Sequence, residues 1–179
     1  MSAPPLRLLT HPGPMAPERR ESRADAAARA FRFSLMPGRS LHEGLVGAMG
    51  RIGAASAAFV LTGGGFARLK YCIAAPNPEG PQVARYSAPI PAGPVGLIGA
   101  SAALGIDVEG QPIVHCHALL CGADGAVFGG HLLPHEAMVG DEPPLVFARA
   151  FSRVAIAQRP DAETAMSIFH PKVAEPAHG

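Results

Sequence analysis

Three histidines in the second half of the chain have the residue type and the spacing of metal ligands. His115 and His117 stand two residues apart in an apolar run, and His131 follows after a turn that contains glycine. Successive side chains of a β-strand point to opposite faces, so His115 and His117 project together while Cys116 points away. Three imidazoles with one open position form a recurrent zinc site, and imidazole also suits iron, nickel and copper. We predict a site for a divalent transition metal at His115, His117 and His131, with zinc as one candidate.

The place of His131 depends on the length of the turn between the two predicted strands. If the turn has two residues, 124–125 in a type I′ conformation, His131 faces Ala118 and lies on the opposite side of the sheet. If it has three residues, 123–125 with a left-handed glycine at the end, His131 faces His117. Only the second register assembles all three histidines on one face, and we predict that register.

Two other interpretations of this region stay open. A His-X-His pair on a strand of an arbitrary sequence is more often a pair of hydrogen-bonded, half-buried histidines than a metal site. His135 and Glu136, just after the hairpin, could add a ligand or a general base for a metal-bound water, or could be exposed loop residues.

The elements that must position the histidines follow from the hydrophobic periodicity. Ser40 with Glu43 three residues later is a capping box, and the apolar spacing that follows predicts one helix. Apolar runs separated by Gly- and Pro-rich turns predict strands around it. The predicted strands are 30–36, 57–62, 66–75, 82–88, 95–106, 113–121, 126–133, 145–157 and 165–170. This order predicts a compact, single α+β domain with a mainly antiparallel sheet and one principal helix.

The two ends of the chain lack this periodicity. Residues 1–29 mix Pro, Arg, Ala and Glu, a composition that seldom offsets the entropy of ordering. We therefore expect a flexible Pro- and Arg-rich tail at 1–29, the folded domain at 30–170 and a C-terminal tail at 171–179.

The cysteines and the apolar segments bear on the compartment. Three cysteines without a CxxC pair argue against a disulfide framework and against a cysteine zinc ribbon, and favour a reducing environment. No apolar run approaches the ~20 residues that span a bilayer, and the N-terminus lacks the apolar core of a signal peptide. We expect a cytoplasmic protein without a membrane partner.

Charge is distributed unevenly along the chain. Residues 1–32 carry six arginines against Glu18, Glu21 and Asp25, a net charge of +3, and the remainder carries nine basic and eleven acidic residues, a net charge of −2. Duplex binding draws most of its affinity from Lys and Arg, so the folded part lacks the excess that DNA binding needs. Neither Arg19-Arg20 nor the segment 37–40 supplies the Arg-Gly-Arg-Pro of a minor-groove AT-hook.

The run HCHALLCGADGAVFGGHLL at 115–133 resembles the signature hairpin of the plant and prokaryote conserved (PPC) domain. That domain stands alone in bacteria and archaea and is joined to AT-hooks in plant nuclear proteins. The preceding strand, the helix at 40–50, the Gly-rich turn and the strand at 94–101 agree with the family in their order. The resemblance covers about residues 32–157.

The resemblance implies a domain that assembles as a homotrimer, with the histidines of the HxH and GGH motifs, here His115, His117 and His131, as metal ligands. It also implies a DNA-binding label, by analogy with the plant proteins.

Our first hypothesis is a homotrimeric, metal-containing binding or regulatory protein. The alternative is a small metal-dependent enzyme in which the three histidines hold a cation that activates water or polarises a carbonyl of a small molecule near a subunit boundary. A third hypothesis is nucleic-acid binding through the basic tail.

Overall fold

The computed structural model describes residues 10–18 and 20–173, which form one helix and thirteen strands. The helix α1 spans Leu41–Gly50. The strands are β1 (Arg29–Ser34), β2 (Ala57–Thr62), β3 (Gly65–Cys72), β4 (Ala74–Pro76), β5 (Ala84–Tyr86), β6 (Ile90–Ala92), β7 (Val95–Ile106), β8 (Pro112–Gly122), β9 (Val127–Leu132), β10 (Met138–Val139), β11 (Leu145–Ala150), β12 (Val154–Asp161) and β13 (Met166–Val173). Within this part of the chain, no helix is long and apolar enough to cross a bilayer.

Most strands join one curled sheet in the order β1-β11-β2-β7-β8-β9-β3-β10. Its neighbours along this path are antiparallel, and the β12–β13 hairpin attaches to β7 through a parallel contact between Ala157 and Ile106. Strand β3 pairs with β9 and also with β7, where Gly65 lies opposite Gly96, so β7, β8, β9 and β3 close into a ring. A Cβ at position 65 would lie 2.3 Å from the carbonyl oxygen of Val95, so only glycine permits this closure.

Helix α1 begins at the predicted capping box and covers one face of the sheet. The Ser40 hydroxyl accepts a hydrogen bond from the Glu43 amide, and the Glu43 carboxylate accepts one from the Ser40 amide, each at 3.1 Å. The apolar stripe of the helix is fully buried at Leu41 and Leu45 and packs into a core that includes Cys116. The predicted mainly antiparallel α+β fold with one principal helix is therefore confirmed.

Two predicted strands are divided in the structure: 66–75 is interrupted at Ile73, between β3 and β4, and 145–157 is divided by a turn. Strand β11 ends at Ala150 and β12 begins at Val154. The carboxylate of Asp25 accepts hydrogen bonds from the backbone amides of Ser152, Arg153 and Val154 at 2.7, 2.7 and 3.1 Å. The prediction of one continuous strand at 145–157 was wrong because a residue far along the chain supplies the partner that holds the turn.

The described residues before β1 lie against the β12–β13 hairpin. The Gly13 amide donates to the Glu163 carbonyl at 3.1 Å, and the buried Glu163 carboxylate accepts from the Ala16 amide at 2.8 Å. At the other end, β13 continues to Val173, three residues beyond the predicted end of the domain. The predicted boundaries and the mobility of the tails stay predictions. Residues 1–9, 19 and 174–179 lie outside the described residues.

Candidate metal centre

The hairpin that joins β8 and β9 sets the register of the three histidines. The Gly122 amide donates to the Ala126 carbonyl and the Gly125 amide donates to the Gly122 carbonyl, both at 2.9 Å, around a three-residue loop at 123–125. Gly125 has φ +80°, the left-handed conformation that such a loop requires at its last position. His131 consequently lies opposite His117 in the ladder, as predicted.

The ring nitrogens of the three histidines converge on one point. Nε2 of His117 lies 3.1 Å from Nε2 of His115 and 3.3 Å from Nδ1 of His131. One ligand nitrogen from each residue lies within 4.8 Å of the other two. Two nitrogens bound to one tetrahedral zinc ion at about 2.0–2.1 Å are about 3.3 Å apart. The donor set and its spacing therefore fit a small transition-metal cation.

Hydrogen bonding among the imidazoles accounts less well for this geometry. Nε2 of His117 is close to a nitrogen of His115 and to a nitrogen of His131, and it offers either one proton or one lone pair. If it carries the proton, it donates to only one neighbour. If it carries the lone pair, two donors must share one acceptor site. A cation accepts one lone pair from each ring and satisfies all three nitrogens together.

The environment keeps two of the rings neutral. Burial lowers the pKa of His131 to about 4, with further lowering from His115 and His117, and burial followed by the neighbouring His117 lowers the pKa of His115. A histidine must be neutral to coordinate a metal, so protons do not compete for these two nitrogens near pH 7.

Aromatic side chains from two other parts of the fold flank the site. The ring centroid of Tyr86, at the end of β5, lies 5.1 Å from that of His131. The ring of Phe169, in β13, meets His115 edge-on at 6.1 Å. The side chain of His117 is exposed. Sequence reasoning missed both aromatic residues, since neither has a local signal that links it to the hairpin.

The outer face of the sheet continues from the histidines to two exposed apolar residues. In register, His117 lies opposite Ser101, Ser101 opposite Val60 and Val60 opposite Phe147. Val60 is 57% exposed and Phe147 is 46% exposed. Cys116, between the two histidines of β8, points the other way and is completely buried, as strand alternation predicts.

The structure places His135 and Glu136 in a different environment. The ring of His135 stacks on that of His42 with centroids 3.8 Å apart, and the Glu136 carboxylate pairs with Lys70 at 2.6 Å. Neither residue belongs to the group of converging ligand atoms found among the described residues. Their suggested role as a further ligand or base is therefore not supported by their position.

Comparisons with known proteins agree with this architecture. Residues 22–141 match the Plants and Prokaryotes Conserved (PCC) domain. No curated protein matches the chain significantly.

Several solved structures share the fold. A plant- and prokaryote-conserved (PPC) protein from Pyrococcus horikoshii is 23% identical, with a TM-score of 0.63 over 84% of this chain and 97% of that chain. The metal-containing protein AF0104 from Archaeoglobus fulgidus is 22% identical, with a TM-score of 0.64 over 84% of this chain and 99% of that chain. A protein from Ralstonia eutropha JMP134, named a "putative DNA-binding protein", is 17% identical, with a TM-score of 0.63 over 78% of this chain and 89% of that chain.

These structural similarities extend over nearly the whole of each relative and show a common fold. The domain match covers most of the sequence, from the segment before β1 to the turn before β11. It includes the hairpin that carries the three histidines. The chain therefore belongs to the Plants and Prokaryotes Conserved domain family.

Proposed function

We propose that this protein is a homotrimeric, metal-containing binding or regulatory protein, with a divalent transition metal held by His115, His117 and His131. The convergence of three ring nitrogens carries the proposal. The similar fold of a protein described as metal-containing supports it. We place the protein in the cytoplasm, where its three free cysteines would stay reduced.

The three side chains would hold the cation with one position open toward solvent. His115 and His131 contribute neutral rings whose orientation is restricted by Phe169 and Tyr86, and His117 contributes the exposed ring. A bound zinc ion supplies Lewis acidity and an exchangeable fourth ligand. The site is preformed on paired strands, because β8 and β9 are held by the hairpin and by their outer neighbours β7 and β3.

Metal analysis of the purified protein tests the site. We expect stoichiometric transition metal in the wild type and its loss in His117→Ala, measured by inductively coupled plasma mass spectrometry. His135→Ala is the matched control, since His135 is an exposed histidine outside the converging group. Absence of metal from protein refolded with zinc, or equal metal in both variants, would contradict the assignment.

The exposed apolar face beside the histidines supports self-association. Phe147 on β11 lies opposite Val60 on β2, and Leu119 lies on β8, two strands away from β2. All three are large apolar residues about half exposed. Monomeric proteins rarely leave contiguous apolar surface of this kind uncovered. Family resemblance makes a trimer the expected assembly.

Sedimentation velocity tests this assembly. We expect Val60→Asp to shift the protein to smaller species and Val108→Asp to leave the trimer intact. Val108 is a matched control because it is 55% exposed but lies in the turn between β7 and β8. A monomeric wild type would refute the trimer.

The second candidate function is a small metal-dependent enzyme. The exposed side chain of His117 favours it, because a small molecule could reach the open position of the cation there. We expect any hydrolytic activity toward activated esters to be lost in His117→Ala. Activity that persists in a metal-free His117→Ala variant would exclude this function for the site.

DNA binding is a third candidate, supported by the description of the Ralstonia relative. A trimer would triple the net charge of +3 that residues 1–32 carry and so raise nonspecific affinity. We expect any shift of duplex mobility to be salt-dependent and to disappear when residues 1–29 are deleted. A shift that survives the deletion would mean that the folded domain itself binds DNA.

A further inference from the structure

A cleft away from the three histidines has the composition of a site for an organic anion. It lies where β3, β6 and the segment 133–138 meet, with a volume of about 460 Å³. Its polar lining residues are Arg68, Lys70, His135 and Glu136, and its apolar lining includes Pro91, beside Lys70 in the ladder, and Met138, beside Arg68. The volume lies within the ~300–1,000 Å³ that small-molecule sites occupy.

The cationic groups in the cleft are not fully neutralised. Lys70 Nζ lies 2.6 Å from the Glu136 carboxylate, which balances one positive charge. Arg68 makes no side-chain hydrogen bond or ion pair with any residue in the described ranges 10–18 and 20–173. A guanidinium presents parallel N–H groups that match the oxygens of a carboxylate or a phosphate.

The backbone geometry fixes the wall beside Arg68. Strand β6 pairs with β3, so that Pro91 lies opposite Lys70 and Ala92 opposite Leu69. Gly93 follows with φ +136°, and a Cβ there would lie 2.6 Å from the Arg68 Cα and 2.6 Å from the Ala67 carbonyl oxygen. The chain therefore passes directly against the strand that carries Arg68 and Lys70, which holds the apolar wall close to the charges.

We propose that this cleft binds a small organic anion, a carboxylate or phosphate attached to an apolar group, with Arg68 as the principal contact for the anion. The apolar group would lie against Pro91, Ala92 and Met138. Lys70, with its Glu136 partner, would border the anion on the other side. The proposed site shares no residue with the three-histidine centre and does not depend on the metal.

Isothermal titration with simple probes tests the site in the full-length, metal-loaded protein. The probes are inorganic phosphate, phenyl phosphate, acetate and benzoate. We expect phenyl phosphate or benzoate to bind more tightly than the matching ion without a ring, and the tighter of the two identifies the anion. Arg68→Gln should lower the affinity for that probe roughly tenfold or more, because a hydrogen bond to a charged group is lost.

Arg159→Gln is the matched control, since Arg159 is an exposed arginine on β12 outside the cleft. It should bind the probe as the wild type does, and so should His117→Ala. Metal content and circular dichroism confirm that Arg68→Gln is folded. The proposal is wrong if no probe binds, if the two arginine variants weaken binding equally, or if the ring of the probe adds no affinity.

Discussion

Nε2 of His117 and Nδ1 of His131 lie 3.3 Å apart although the residues are separated by fourteen positions in the chain. The contact exists because a three-residue loop gives β8 and β9 the register that puts both side chains on one face. The chemistry proposed for the protein therefore depends on a turn that contains no ligand.

Deleting Val127 should destroy the metal site without removing a histidine. The loop at 123–125 keeps Gly122 opposite Ala126, so a strand one residue shorter between the loop and His131 places His131 opposite Ala118, on the other face of the sheet. We expect loss of bound metal, measured by mass spectrometry. Val127→Ala changes an exposed side chain, keeps the strand length and should keep the metal. Metal retained at wild-type level in the deletion would contradict the dependence on register.

The ring of His131 should titrate far below an ordinary histidine in the metal-free protein. Burial lowers its pKa from 6.5 to about 4. As the pH falls, this ring is protonated in the unfolded chain before it is protonated in the folded protein. The folded protein therefore keeps its full stability above pH 6.5 and loses stability as the pH falls from 6.5 toward 4. A histidine-selective NMR titration measures the midpoint, and a midpoint near 6.5 would exclude the depressed value.

Asp25 should stabilise the fold in a pH-dependent manner. The backbone N–H of Arg153, with those of Ser152, Ala27 and Val154, holds the pKa of its carboxyl below 3.8. A depressed pKa stabilises the folded state above the ordinary value and loses this effect as pH falls through the folded value. Asp25→Asn should therefore lower Tm at pH 7, and the difference from wild type should shrink below pH 3.8, as calorimetry can show.

The matched control for Asp25 is Asp107→Asn. Asp107 also accepts backbone hydrogen bonds, but only from Glu109 and Gln111 in a local turn. Asp107→Asn should lower Tm less than Asp25→Asn does, because Asp25 joins distant parts of the chain. An equal loss in both variants would mean that the long-range contact adds nothing.

The Cys116 thiol should resist alkylation until the protein unfolds. Burial raises its pKa to about 12 and leaves no exposed surface. At pH 8 about one thiol in ten thousand would be ionised, and the thiolate is the reactive form. Mass spectrometry after iodoacetamide treatment should show Cys116 modified only in denaturant, whereas the half-buried Cys121 should react earlier. Modification of Cys116 at the same rate as Cys121 in the native state would contradict its burial.

Local chemistry in the sequence predicts much of this fold. Ser40 and Glu43 predict the start of α1, and the apolar run at 95–106 coincides with β7. The turn composition at 123–125 also predicts the correct register, because glycine is the residue that adopts the left-handed conformation there without strain. These features depend on neighbours within a few positions.

Features that depend on distant contacts were not predictable in this way. Nothing near residues 151–153 indicates a break in the strand, because the partner is Asp25. Tyr86 and Phe169 approach the histidines only after separate hairpins fold over the sheet. The cleft around Arg68 likewise needs the pairing of β3 with β6, for which the Pro-rich segment 89–94 predicts a loop.

The strands at the two ends of the sheet bear on how the protein behaves at high concentration. In the described part of the chain, β1 pairs only with β11, and β10, at the other end, has two residues. The guanidinium groups of Arg29 and Arg32 lie over the rings of Phe31 and Phe147 along the β1 side. Short or positively charged edges disfavour pairing with a strand of another molecule. Pairing through these two edges is thus disfavoured, and the self-association proposed above would use the face of the sheet.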